Sequence, residues 1–598
     1  LRTKINKEKT YTALAAFFAL VLILIVCYFL KDTVLGCHDS FADFVFARMH
    51  TFPEWYSHNL EFNLARGRVG FISALVFCLR YFILSTGNYT AIWLLQQIPI
   101  WLTVGLISWV TARKTHPVYG VMFAIFFTTF LQIDTNHNLI DCYPFDFMYG
   151  MFIMVLGLYL YDGWLMRIGT KGSLKYLIGS VICYYESMTV YEPFITACLI
   201  YALISLYYVL KEHQSITSGI KRFVARLLPH AAVAVVFFVI LELLKIHPVV
   251  DTTTVTAVDE YGDFYDFANT WSVFSVSLLP LSNIDNVDII SSFTTLFHGR
   301  FLPVFAFGSV LGAFFSCLAV KNSDRIKENI KSIDLSLLVL GVSGLLYAVF
   351  FTVPHAMTAN YQMWVRDLHA AGYLTSSMCY FGWALFFSCL ISIVINCFAY
   401  RRRAVFTASS LTLAFLFFAC AEITMNINMI FRARDAVTGQ QMSYRGQAFY
   451  SFFSSDYAEN YAAIQIYMPG FSGLHFDMGF DDGYADFEMD RDVTLTNDLR
   501  FFRRESGFYD FSGEFFYDVN CDAAWYTSIM NPQDPASSWV SGGDLVIVST
   551  RPGIYELSYV DPDTGQRQTV SVPMGRMEVY AIHNDKPVDT DSLTISLI

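Results

Sequence analysis

The chain has 598 residues, 55% of them hydrophobic and only 15% charged, with a mean hydropathy of +0.44. That balance excludes an ordinary soluble globular protein of this length and predicts a polytopic α-helical membrane protein. The formal net charge of −12 argues against nucleic acid as a partner, while 56 Phe and 36 Tyr suit membrane interfaces and sites that stack flat or apolar ligands.

The run from Tyr11 to Leu30 follows the basic stretch "RTKINKEK" and has the ~20 residues that a full span needs. No small-residue cleavage site follows, so it reads as a retained first helix with a cytoplasmic N-terminus. The segment "KDTVLGCHDSFADFVFARMH" then emerges outside. Asp39 and Asp43, four apart, share one face of a helix, and Phe41 and Val45 suit a helix lying along the membrane surface. Trp55 and Tyr56 read as interface anchors, and Arg66 and Arg68 meet the start of the next span. The plainer reading of this first outer loop, 31–68, is an amphipathic connector with solvated charges.

Further spans are expected at 69–87, 90–111, 147–165, 174–190, 194–210, 228–246, 301–320, 335–353, 372–399 and 404–425. Basic clusters at Arg167/Lys171/Lys175, Lys211/Arg222/Arg226, Lys321/Arg325/Lys327/Lys331 and Arg401/Arg402/Arg403 fall at alternate ends and mark the cytoplasmic side. The apolar stretch "VYGVMFAIFFTTFLQ", 118–132, is short for a span and is read as re-entrant or interfacial. The count is then about eleven spans, with twelve or thirteen as alternatives, and Arg113 and Lys114 are left outside, against the charge rule.

A second outer loop, "QIDTNHNLIDCYPFD", carries Asp134, His137, Asp141 and Asp146. Two loops rich in Asp and His on one face can converge on one cleft, and carboxylates at a membrane rim are costly to desolvate and therefore functional suspects. Glu186 and Glu192 in "YYESMTVYEPF" either line that cavity or cap helices, and capping is preferred. The long outer loop 247–300, with "DEYGDFYDFANTW", has residues suited to stacking on sugar or to covering the bundle. Arg300 in "FHGRFLP", and Arg366 and His369 in "QMWVRDLHAAG", fall near the outer surface; for Arg366 a local pair with Asp367 is an equal alternative.

From residue 431 the composition changes: 11 Lys/Arg stand against 25 Asp/Glu, and "DLVIVST", "GIYELSYV" and "RQTVSVP" read as strands, with "DPDTGQ" as a turn. Residues 431–598 are thus expected to form a small β-rich extracytoplasmic domain after a transmembrane domain, 1–430. Most of the 12 cysteines sit in apolar spans and act as small hydrophobes; only Cys37, Cys142 and Cys521 are expected outside, where a Cys37–Cys142 bridge is conceivable. The acidic stretch 476–492 fails the EF-hand spacing.

In its basic N-terminus, first helix, acidic "HDSFAD", closing "ARGR", second acidic loop and β-rich tail, the chain resembles the integral-membrane glycosyltransferases of the GT-C superfamily. The likeness is one of layout over most of the chain, with short motifs in 36–70 and 132–146. His38 stands where that superfamily often has a second acid.

The resemblance implies inverting transfer of a sugar from a polyprenyl-phosphate carrier to a cell-envelope glycan or polymer at the outer face of the plasma membrane. Asp39 is the first choice for the base that takes the acceptor proton. Asp43 is the second, or orients an acceptor hydroxyl or Arg48. His38, Arg48, Asp134, His137, Asp141, Asp146 and His369 are expected to bind substrate, and Arg66, Arg68, Arg300 and Arg366 to hold the leaving phosphate. No metal is required, although Asp39 with Asp141 or Asp146 could bind Mg²⁺ or Mn²⁺. A flippase for lipid-linked glycans and a non-catalytic envelope scaffold are the alternatives; internal repeats, expected of many transporters, are not visible.

Overall fold

The computed structural model describes most of 16–27, then 38–131 apart from residues 66, 67 and 69, 138–212 apart from 141 and 144, and 215–246, 262–279, 335–367, 372–398, 463–467, 492–496, 511–518, 521–528 and 543–598, with a few isolated positions besides. The chain is mostly helical and ends in a β-rich region. It divides into two compact units, one comprising Leu1–Lys31, Phe52–Ile83 and Thr90–Met429, the other Asp32–Thr51, Leu84–Tyr89 and Ile430–Ile598.

Six helical segments among the described residues are long and apolar enough to cross a membrane: Thr90–Lys114, Asp146–Leu165, Glu192–Lys211, Ile216–Leu241, Leu335–Ala356 and Leu374–Ile393. The helices are α1 (His38–Met49), α2 (Phe52–Ala65), α3 (Phe71–Leu84), α4 (Tyr89–Lys114), α5 (Pro117–Thr129), α6 (Asp146–Leu165), α7 (Ser173–Val190), α8 (Cys198–Lys211) and α9 (Ile216–Ile246). After them come α10 (Phe264–Val276), α11 (Leu335–Phe350), the short α12 (Val353–Ala356), α13 (Ala359–Asp367) and α14 (Leu374–Phe398).

Helices α6 and α7 form an antiparallel hairpin. Gly150 faces Val190 and Phe194, Gly157 faces Ser180 and Cys183, and Gly163 faces Tyr176. Close approach of this kind is how helices gain packing energy inside a lipid bilayer, where burial of apolar surface gives little. A close crossing joins α11 to α14: a Cβ added to Gly344 would lie 2.6 Å from the Gly382 carbonyl oxygen, and one added to Gly382 would lie 2.5 Å from that of Gly344.

The structure corrects the expected course of the chain between 69 and 146. The segment expected to cross at 69–87 does not run the length of the bundle. Glu186, near the C-terminus of α7, accepts hydrogen bonds from the Phe71 and Ile72 amides at 3.2 and 2.9 Å. Arg80, three turns along α3, pairs with Asp146 at the N-terminus of α6. Both ties lead to one end of the α6–α7 hairpin, so α3 lies across that end.

The 118–132 segment supplies the missing return. Pro117 opens α5, a position where its lacking N–H costs nothing, and the Val118 amide donates to His116 Nδ1. The 13-residue helix then runs back along α4, Gly120 facing Ser108 and Ala112, and along α14 through Phe126 on Phe387 and Tyr380 Oη on the Phe127 carbonyl. Farther along, residues 138–140, 142 and 143 are buried, non-helical backbone. Such backbone is tolerated at membrane depth only where protein satisfies it. Here Gln96 Nε2 donates to the Leu139 and Cys142 carbonyls and Gln97 Nε2 to that of Ile140.

This course also bears on Arg113 and Lys114, the last residues of α4. They meet Tyr159 and Asp162 on α6, at the end that also holds Arg167 and Lys211. Arg113, Lys114, Arg167 and Lys211 therefore gather at one end of the bundle, and the exception to the charge rule disappears. Trp55 is also corrected: it is fully buried beneath the Arg80 guanidinium, 5.6 Å from its ring, rather than anchored at an interface. Cys142 is buried; Cys37 lies outside the described residues.

The second unit contains a six-stranded sheet of order β2-β1-β3-β4-β5-β8 and a three-stranded sheet of order β7-β6-β9. Strands β1 (Ala463–Tyr467), β2 (Asp492–Thr496) and β3 (Phe511–Asp518) pair in parallel through β1, and β4 (Ala523–Ser528), β5 (Leu545–Ser549) and β8 (Val579–Ile582) continue antiparallel. The "DLVIVST" run is β5, buried at every position, as a central strand covered on both faces should be. The other two runs are β6 (Gly553–Val560) and β7 (Arg567–Met574), an antiparallel hairpin that β9 (Thr594–Leu597) extends. In the turn between them the Asp561 carboxylate accepts the Asp563 and Thr564 amides at 2.8 and 3.0 Å. The acidic stretch 476–492 lies outside the described residues apart from Asp492, the first residue of β2.

Candidate functional site

The first acidic loop folds as expected at its start. Residues 38–49 are helical, so His38 and Asp39 open α1 and Asp43 stands one turn beyond Asp39 on the same side. Ser40, Phe44 and Ala47 form the buried stripe of α1. Arg48, in the last turn, donates from Nη1 to the Ser85 carbonyl at 3.0 Å. It lies against Gly87, whose φ of +64° closes the turn before α4 and favours glycine because that region is open to it at no steric cost.

In the helical unit, Arg68 and Asp146 lie at the end crossed by α3. Arg68 is held bidentately by Glu192, at 2.7 Å from Nε and 2.9 Å from Nη2, and its guanidinium stands 5.6 Å from the Tyr191 ring. Burial opposes the charge on Arg68. The Glu192 carboxylate, through its charge and its hydrogen bonds, more than offsets this and holds the guanidinium above its usual range. A planar fork on a carboxylate is the same geometry that grips phosphate.

Tyr191 extends this cluster. Its hydroxyl shares a 2.6 Å hydrogen bond with His355 Nε2, and the imidazole packs on Tyr361 at 4.5 Å and Tyr373 at 6.0 Å. Phe147, next to Asp146, meets the Tyr191 ring at 4.6 Å. The result is a rim where two arginines, two carboxylates, a histidine and several tyrosines are linked across α3, the start of α6, the 3₁₀ turn Glu192–Ala197 that follows α7, and α12.

Sequence reasoning found Arg68 and Asp146 and left out Arg80, Tyr191 and His355. Arg80 carried a signal, as the lone charge in "FISALVFCLRYFIL", where an ionisable residue needs a partner. Glu192 was judged a helix cap and is instead the partner of Arg68. Glu186 is a cap, as expected, but of α3 rather than of its own helix.

Arg366 is exposed and donates to Asp367 at 2.8 and 3.0 Å and to Asp266 at 2.7 Å, so the local pairing is present and a residue of the long loop joins it. That loop folds in part as α10, opened by Asp263, whose side chain accepts from the Tyr265 amide, and Trp271 of α10 donates to the Val349 carbonyl. His369 is exposed beyond α13 with a φ of +51°. Arg66, Asp134, His137, Asp141 and Arg300 lie outside the described residues. Among the described residues no group of three or more His, Cys, Asp or Glu is arranged to hold a metal ion.

No protein-family profile matches the chain. No curated protein matches it either. Among solved structures, the oligosaccharyltransferase of Archaeoglobus fulgidus tethered to an acceptor peptide aligns at 12% identity and a TM-score of 0.32, covering 80% of this chain and 64% of that one. The oligosaccharyltransferase AglB of the same organism, in complex with an inhibitory peptide and a dolichol-phosphate, aligns at 13% identity and a TM-score of 0.30, covering 93% and 74%. This chain thus spans less than two thirds of the length of the first. The likeness is remote.

Proposed function

We propose that the chain is a membrane glycosyltransferase that takes a sugar from a polyprenyl-phosphate carrier and passes it to a cell-envelope glycan or polymer. The observation that carries this reading is α1, a helix at the end of a membrane-length apolar run with Asp39 and Asp43 one turn apart. That is the pattern by which the sequence resembles GT-C enzymes. The gathering of Arg113, Lys114, Arg167 and Lys211 at one end of the helical unit supports a cytoplasmic N-terminus, an outer-face reaction and a β-rich tail outside.

The chemistry follows from the groups concerned. An acceptor hydroxyl attacks the anomeric carbon from the face opposite the carrier, the new C–O bond forms as the bond to phosphate oxygen breaks, and configuration inverts. Asp39 takes the hydroxyl proton, a role worth about 10²–10⁴-fold in rate. The polyprenyl phosphate departs with the electron pair, and its charge is met by arginine. Arg66, Arg68, Arg300 and Arg366 are the candidates, and Arg68 could take that part only alongside its partner Glu192. His38, Arg48, Asp134, His137, Asp141, Asp146 and His369 are assigned to substrate, and no metal is assigned.

The test is Asp39→Asn in the full chain, assayed for transfer of radiolabelled sugar from a prenyl-phosphate donor in membranes that express it. Transfer should fall at least ~100-fold with membrane levels unchanged, and full activity would remove Asp39 from the mechanism. A lipid-glycan flippase is the second reading, favoured by the Lys114–Asp162 pair within the bundle. It expects translocation in vesicles that Asp39→Asn leaves intact.

A further inference from the structure

A cavity of about 620 Å³ lies in the helical unit between α4, α6, α8, α11 and α14, at the end opposite the Arg68–Glu192 rim. Its volume is within the ~300–1,000 Å³ typical of ligand sites. The body is hydrocarbon-like, lined by Met154, Leu158, Ile200, Val339, Leu340 and Leu385. The mouth is cationic: Arg113, Lys114, Arg167 and Lys211 surround one carboxylate, Asp162.

Asp162 is already engaged. Lys114 pairs with it, and Tyr208 Oη donates to it at 2.9 Å. Among the described residues the other three cations have no carboxylate partner and rest on aromatic rings: Arg113 is 5.4 Å from the Trp109 ring, Arg167 4.7 Å from Tyr176, and Lys211 5.8 Å from Tyr207. Aromatic faces orient these cations without neutralising them.

We propose that this cavity binds a phosphate-headed lipid, with a hydrocarbon chain in the apolar body and the phosphate at Arg113, Arg167 and Lys211. A neutral lipid leaves the cations unanswered, and a soluble phosphate leaves the apolar body empty. A basic pocket between transmembrane helices, at the end where positive charge gathers, answers to an anionic lipid headgroup. A bilayer glycerophospholipid and a prenyl phosphate share this chemistry. The proposal is independent of the glycosyl-transfer reading, because neither Asp39 nor the Arg68 rim enters it.

The test is native mass spectrometry of the full chain, delipidated in detergent and titrated with dioleoyl phosphatidylglycerol, dioleoyl phosphatidylcholine, a long-chain prenyl phosphate and inorganic phosphate. Phosphatidylglycerol or prenyl phosphate should bind at least ~10-fold more tightly than phosphatidylcholine, and whichever of the two is preferred identifies the source. The Arg113→Gln/Lys211→Gln variant should lose about fivefold in affinity per charge removed. Val339→Trp, which fills the body and leaves the cations in place, should weaken both anionic lipids; it remains informative if the charge variant fails to fold. Equal affinity for phosphatidylcholine, displacement by inorganic phosphate, or unchanged binding in either folded variant would overturn the proposal.

Discussion

At one end of the helical bundle Arg68 and Arg80 are each matched to a carboxylate, Glu192 and Asp146, whereas at the other end four cations line a cavity with Asp162 alone. Charge is closed at the first end and left over at the second. A buried cation is held either by a carboxylate that cancels it or by surroundings open enough to spare it full desolvation. The closed end is therefore rigid and sensitive to deletion, and the open end is tolerant and available to an anion.

The largest effect that would break this contrast is expected at Glu192. Glu192→Ala strands the buried Arg68 and should cost about 3–5 kcal/mol, read as a lower unfolding temperature in detergent. Replacing both partners by Met should recover much of that loss. If the single variant unfolds with the parent protein, the first end is not closed by this pair.

A smaller loss is expected between the two ends. Gln96→Leu leaves the Leu139 and Cys142 carbonyls without their shared donor, at about 2–3 kcal/mol, and faster proteolysis near 138–143 should report it. An unchanged cleavage rate would mean that the bracket is dispensable.

The smallest effect is expected at Arg366, whose side chain is 56% exposed, since exposed ion pairs contribute little. Hydrogen bonds from Arg366 hold Asp367 below the usual carboxylate range. A depressed carboxylate contributes stability that is complete above its unfolded value of ~3.9 and is lost as pH falls through the folded one. The small gap between the parent and Arg366→Ala should therefore close below pH ~3.9, as followed by thermal melts across the acid range. A gap that widens there would reverse the assignment.

The two units differ in how plainly the sequence announces them. Strands β5, β6 and β7 were legible because their alternation, or continuous apolar run, is bounded by turn residues, and Asp561 and Gly565 supply the turn chemistry at the β6–β7 corner. In the helical unit hydropathy located α3 and α5 but assigned them opposite roles. An apolar run reports what surroundings it tolerates and carries no record of its direction relative to the bilayer. α3 is more apolar than a surface element needs to be, and α5 is shorter than a helical crossing needs to be, with buried non-helical backbone at 138–140, 142 and 143 farther along.

The same distinction governs the rim. Arg68 and Asp146 could be found as charges beside spans. The partnership of Arg68 with Glu192 joins positions 124 residues apart, and that of Tyr191 with His355 joins positions 164 apart. Neither leaves a local spacing in the chain, and each exists only once the α6–α7 hairpin and α11 have packed.

The bracket formed by Gln96 and Gln97 bears on biosynthesis. The Leu139, Ile140 and Cys142 carbonyls take their donors from α4, and lipid could not supply them, so α5 cannot settle as an independent insertion unit. It must wait until α4, already placed, offers its two amides, and Ser377 of α14, made nearly 240 residues later, adds a further hydrogen bond to Asn138. The early half of the chain is thus completed by the late half, and a truncated nascent chain ending before α14 should leave this return path open to the quality-control machinery of the membrane.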